Sequence, residues 1–145
     1  MQIERVLIID DGVDDRFLTS LALERGGGWH VLEASDGEVG LQLARGEQPD
    51  LILLDWVMPG MDGPAVLSAL KADPDTVGIP VVLLSAAGHG ELDEAIRLGA
   101  CGVIEKPFRP LLLTDEIEAI LGLRTSHVLL PAVSPPDDGQ QGGTQ

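Results

Sequence analysis

Four stretches of the 145-residue chain carry side chains that could do chemistry together. Asp10-Asp11 follows the apolar run 6–9, Asp55 follows Leu51–Leu54, Ser85 follows 81–84, and Lys106 stands before Pro107 and Phe108. A buried carboxylate without a partner is costly, so an aspartate that ends an apolar run belongs at an open strand end beside a counter-charge. Three carboxylates in one crevice repel, and at least one titrates high unless a cation intervenes. Lys106 supplies one positive charge. A hard divalent ion would supply the rest, Mg²⁺ by preference and Mn²⁺ as the alternative. Mg²⁺ takes one or two carboxylates and keeps waters and phosphate oxygens. Aspartate is also a covalent nucleophile for phosphoryl transfer. The set is unbalanced alone, and balanced with a divalent ion and an incoming phosphoryl group.

The elements that must position these groups alternate along the chain. Strands are expected at Arg5–Ile9, Trp29–Ala34, Leu51–Leu54, Pro80–Leu84 and Gly102–Glu105. The runs VLII, LILL and VVLL are apolar throughout, as suits parallel strands covered on both faces. Helices are expected between them, at Asp14–Arg25, Glu38–Arg45, Pro64–Ala72, Leu92–Leu98 and Leu111–Leu121. The first places Phe17, Leu21 and Glu24 on a helical spacing, the second has Val39, Leu41 and Leu43 as its apolar members, and the third has Pro at its first position, where no N–H is needed. Five strands alternating with five helices predict an α/β fold. Crossovers must be right-handed, and an open doubly wound sheet binds ligands beyond the carboxyl ends of its strands. Four of the five strand ends carry the polar groups named above.

Composition narrows the partners. A net charge of −15 with only nine Lys and Arg argues against nucleic acid and against an anionic membrane surface. The single cysteine, Cys101, permits no internal disulfide and is expected to pack as a small apolar residue near the fifth strand. The opening MQIERVLIIDD has an apolar run too short for a signal peptide or a membrane span, so a cytoplasmic protein is expected. One domain is expected over 1–123. A tail follows over 124–145, read as disordered from about 134, where Pro, Gly and Gln dominate. His30, His89 and His127 have no metal-ligand spacing.

Taken in order, Asp10-Asp11, Asp55, the Met58-Pro59-Gly60-Met61-Asp62-Gly63 loop, Ser85-Ala86, Gly99-Ala100 and Lys106-Pro107-Phe108 resemble the response-regulator receiver domain of two-component signalling, from about residue 3 to 122. The resemblance implies a flavodoxin-like, doubly wound five-stranded parallel sheet in the order 2-1-3-4-5 with five helices. It implies that Asp55 accepts a phosphoryl group from a phosphohistidine on a sensor histidine kinase or a histidine phosphotransfer protein. Asp10 and Asp11 correspond to the metal pair, with the Trp56 main-chain carbonyl as a further ligand. Ser85 and the Ala86 N–H would bind the phosphoryl group, and Lys106 would bridge Asp55 before modification and a phosphoryl oxygen after it. Pro59, Gly60, Gly63 and Pro107 would shape the loops, and the Lys106–Pro107 bond would be cis. Asp14 and Asp15 are read as first-turn carboxylates that suit the helix dipole.

Two positions depart from the family pattern. Val103 stands where Tyr or Phe is usual, which puts aromatic-gated coupling of Ser85 to an output surface in doubt. Val57, two residues after Asp55, cannot orient a hydrolytic water, and this predicts a long-lived phosphoryl group. The reading is therefore a stand-alone receiver that signals through protein contacts or a phosphorelay, with its downstream protein unknown and a homodimer left open. The alternative is a receiver-shaped interaction module that ignores phosphorylation. A Mg²⁺-dependent phosphatase would need a carboxylate where Val57 sits.

Overall fold

The computed structural model describes residues 2–85 and 91–122, the side chains of 91 and 92 excepted. Ala86, His89, His127 and the expected tail lie outside the described residues.

Five strands form one parallel sheet in the order β2-β1-β3-β4-β5. They are β1 (Arg5–Ile9), β2 (His30–Ala34), β3 (Leu51–Asp55), β4 (Val81–Ser85) and β5 (Gly102–Glu105). Helices α1 (Val13–Gly27), α2 (Gly37–Glu47), α3 (Gly63–Ala72), α4 (Glu91–Leu98) and α5 (Leu113–Leu121) connect and flank them, and a single 3₁₀ turn at Pro110–Leu112 leads into α5. The expected architecture and strand order are those observed. Strands β3 and β4 end one residue later than the apolar runs, because Asp55 and Ser85 themselves close them.

Alternation along each strand divides the core into two layers. Leu7, Ile9, Ile52, Leu54, Val81 and Leu83 face α2, α3 and α4. Val6, Ile8, Leu51, Leu53, Val82 and Leu84 face α1 and α5. Every side chain of β3 and β4 is buried, as a central parallel strand requires. The four register pairs from Val6–Leu51 to Ile9–Leu54 fix β1 against β3 and bring Asp10 level with Asp55.

Helix faces follow the sheet's shape more than the hydrophobic count. In α1 the buried residues are Thr19, Ser20, Ala22 and Leu23, while Phe17 is exposed. In α2 they are Gly37, Gly40 and Ala44, with Leu41 and Leu43 only partly covered and Val39 exposed. A Cβ on Gly40 would lie 2.5 Å from Ile9 Cδ1, so the helix approaches the sheet more closely than a side chain allows. Asp36 and Asp62 cap α2 and α3, accepting from the N–H groups of Val39 (2.9 Å) and Ala65 (3.1 Å). With Asp62 as cap, α3 begins at Gly63, and Pro64 is its second residue. Cys101 is exposed rather than packed at the start of β5. None of the described helices is long and apolar enough to cross a membrane.

Candidate functional site

The crevice at the carboxyl ends of β1, β3, β4 and β5 gathers the residues singled out by type. Asp10 follows β1 with its main-chain N–H bonded to Ala34 O at 3.1 Å, and its Oδ1 accepts from Gly12 N at 2.9 Å. That bond tightens the turn into α1, whose cap position is Gly12 and not either aspartate. Asp10 and Asp55 are buried and Asp11 is exposed. One oxygen from each of the three can be chosen so that all lie within 4.8 Å of one another.

Lys106 leaves the end of β5 and reaches across this cluster. Its Nζ donates to Asp10 Oδ2 and to Asp15 Oδ2, each at 3.2 Å, and stands 3.5 Å from Asp55 Oδ1. Its main-chain N–H bonds Ser85 O at 2.8 Å, so the lysine and the buried serine share one strand-end junction. The Lys106–Pro107 peptide is cis, as the resemblance implies. Asp15, read from sequence as a helix-dipole residue, therefore belongs to the lysine's surroundings. No local pattern reveals it, since the contact spans 91 positions. Arg16 donates to the main-chain carbonyl of Asp10 (2.7 Å) and is paired with Glu33 (3.1 Å).

The charges do not cancel. Burial first, and the neighbouring Asp10 second, push the Asp55 carboxyl from an ordinary 3.8 up to about 6, against the pull of Lys106 and the Val57 N–H. Burial works against the Lys106 charge, yet Asp10, then Asp55, and the hydrogen bonds to Asp10 and Asp15 outweigh it and raise its pKa. The donor set fits a hard divalent cation. A small ion with bonds of about 2 Å spans oxygens up to about 4 Å apart, close to the present cluster, and would offset the burial and the Asp10 repulsion that hold Asp55 high.

The loop after Asp55 is built around Trp56, which is buried. Its main-chain N–H bonds Leu84 O (3.1 Å), and its carbonyl accepts from Gly63 N (3.0 Å). A Cβ on Gly63 would lie 2.6 Å from Trp56 Cα, so that glycine is needed for close approach. Positive φ is the role of Gly60, at +74°. The Trp56 carbonyl expected to face the metal is thus already engaged inside the loop. The N–H of Val57, the next residue, is bonded to the Asp55 carboxylate. Pro59, Gly60 and Pro107 are exposed, and the Val57 side chain is 68% exposed beside the site. Val103 is partly buried and lines a cleft of about 630 Å³ with Glu105, Phe108, Arg109 and Glu116.

A family model described as the response regulator receiver domain matches residues 6–118. The probable chemotaxis protein CheY of Rhizobium etli is 37% identical over 119 residues, covering 81% of this chain and 92% of that protein. The phosphate regulon transcriptional regulatory protein PhoB of Pseudomonas aeruginosa is 37% identical over 117 residues, covering 80% of this chain. This chain spans 51% of the length of that protein, and about half is usual among the curated relatives it matches. The crystal structure of the chemotaxis protein CheY4 of Vibrio cholerae superposes with a TM-score of 0.76 at 28% identity, over 82% of this chain and 99% of that one.

Proposed function

The chain belongs to the response-regulator receiver family of two-component signalling, and we propose on that premise that Asp55 is the phosphoacceptor, supplied by a phosphohistidine of a sensor kinase or a histidine phosphotransfer protein. One observation carries the reading. Three carboxylates meet within 4.8 Å, with a lysine 3.5 Å from the one that closes β3. A structural core gains nothing from that arrangement, and phosphoryl transfer uses every part of it.

In the transfer, a carboxylate oxygen of Asp55 bonds to phosphorus as the phosphorus–nitrogen bond breaks, and the electron pair returns to the imidazole nitrogen. The ionised carboxylate is the nucleophile, so the reaction needs a pH above the Asp55 pKa of about 6 or a cation that lowers it. Asp10, Asp11, Asp55 and a loop carbonyl would hold Mg²⁺, which would supply neutralising charge for the phosphoryl oxygens. Lys106 moves from the carboxylates to a phosphoryl oxygen, and Ser85, together with the main-chain N–H of Ala86, donates to another. The exposed Leu18 on α1 lines the cleft beside Lys106 and shares a groove with Leu111 before α5, and these apolar side chains offer the phosphodonor protein a docking surface. Output runs through protein contacts, with Val103 in place of an aromatic gate. The Val57 side chain leaves attacking water unoriented, so a Val57→Asn variant is expected to lose phosphate faster.

Beryllium fluoride added with Mg²⁺ tests the reading, with the emission of Trp56 as reporter. A saturable response lost in Asp55→Asn supports it. A wild type that responds to neither Mg²⁺ nor beryllium fluoride would leave the phosphorylation-independent interaction module as the better account.

A further inference from the structure

Of the three carboxylates around Lys106, one stands apart. The Asp15 side chain is 60% exposed on the first turn of α1, against 1% for Asp10 and 11% for Asp55, and Asp15 is not one of the clustered trio. Its oxygen is nevertheless as near to the ammonium as that of Asp10, at 3.2 Å. We propose that Asp15 is a positioning residue that holds Lys106 on the α1 side of the crevice and competes with an incoming phosphoryl oxygen for it.

The inference rests on Asp55 being the phosphoacceptor and on the geometry of the lysine. Once Asp10 and Asp55 are committed to a cation, their pull on the ammonium weakens, whereas that of Asp15 does not. A lysine is a point charge with three rotatable donors on a four-carbon stem, so it changes partners without backbone movement. Space for that exchange exists. Asp15 and Lys106 line, with Leu18, Pro107 and Phe108, a cleft of about 470 Å³ opening from the site along α1. Because the Asp15 partner is largely solvated, the effect is a tuning of occupancy. Exposed ion pairs change equilibria by about 1.4- to 5-fold.

Beryllium fluoride is titrated at saturating Mg²⁺, following Trp56 emission, in wild type, Asp15→Asn, Asp15→Glu, Asp14→Asn, Lys106→Ala and the Asp15→Asn/Lys106→Ala double variant. Asp15→Asn is expected to tighten binding about two- to five-fold. Asp15→Glu is expected to stay near wild type and Asp14→Asn, which removes the adjacent charge of the same turn, to change binding less. The gain from Asp15→Asn is expected to vanish when Lys106 is absent. A gain that persists without Lys106, or one equalled by Asp14→Asn, is general electrostatics and overturns the proposal, as does no change. In the metal-free protein the ¹⁵Nζ resonance of Lys106 is expected to move in Asp15→Asn and not in Asp14→Asn, and an unmoved resonance counts against it equally. Failure of wild type to bind beryllium fluoride would instead overturn the phosphoacceptor reading, and this inference with it.

Discussion

At the amino ends of the strands, charged groups are answered by the backbone. Asp50, just before β3, accepts from the main-chain N–H groups of Glu4 (2.9 Å) and Arg5 (3.0 Å) through one oxygen. Lys71 donates to the carbonyls of Val77 (3.1 Å) and Ile79 (2.9 Å) leading into β4, and Thr76 donates to Leu70 O (2.7 Å). At the carboxyl ends, Asp10, Asp15 and Asp55 surround a single lysine, and Asp11 joins Asp10 and Asp55 in the carboxylate cluster. The first set closes loops. The second is left with surplus negative charge, held in place by a rigid sheet between the two ends. Charge that is satisfied locally serves the fold, and charge held in surplus is available to a ligand.

The largest effect is expected in the sheet itself. Leu53 is fully buried in β3 under α1 and α5. Leu53→Ala is expected to destabilise by about 2–5 kcal/mol in urea denaturation, and a cost near zero would mean the strand is not the rigid frame described. Asp50→Ala is expected to cost about 2 kcal/mol, since two main-chain donors lose a charged acceptor. A neutral result would remove the contrast between the ends.

Asp55→Asn should have the opposite sign, because the carboxylate is in surplus. With the pKa raised from 3.8 to about 6, the folded metal-free protein holds its Asp55 proton across that window while the unfolded chain releases it. Stability therefore falls as pH rises from about 4 to 6, and the penalty is complete above 6. The Asn variant is expected to gain roughly 1–2 kcal/mol at pH 7 and almost nothing near pH 3.5. Saturating Mg²⁺ should stabilise wild type more than the variant and so close the gap. A destabilised Asn variant at pH 7 without metal would show that Lys106 already satisfies the site. The smallest effect belongs to the surface pair of Arg45 and Asp73, 3.6 Å apart. Arg45→Ala is expected to change stability by less than about 0.5 kcal/mol, and a larger loss would show that exposed pairs matter more here than the two ends suggest.

The sheet was legible because three central strands are unbroken apolar runs, and an uninterrupted run of that length is what double-sided burial demands. The acidic pair, Asp55 and Ser85 were legible because each follows such a run, and Lys106 because it stands before Pro107 and Phe108. The helix faces were not. Phe17 looks like a core residue by type, whereas the buried face of α1 is made of Thr19, Ser20, Ala22 and Leu23. Small residues let helices approach the sheet, as Gly40 does over Ile9, and small residues carry almost no hydrophobic signal. Asp15 was hidden for a different reason. Its importance comes from a lysine 91 positions away, and only the folded crossing of α1 past the end of β5 brings them together. The bond from Gly63 N to the carbonyl of Trp56 was not legible either, because the return of the chain at Gly63 is a loop geometry that one-dimensional spacing does not encode.

Phosphoryl acceptance by Asp55 is tested by the intact mass of the protein after incubation with acetyl phosphate, with and without Mg²⁺, in wild type and Asp55→Asn. One phosphoryl adduct is expected on wild type, dependent on the ion and mapped to the peptide containing Asp55, and none on the variant. No adduct on wild type in the presence of Mg²⁺, or an equal adduct on Asp55→Asn, would contradict it.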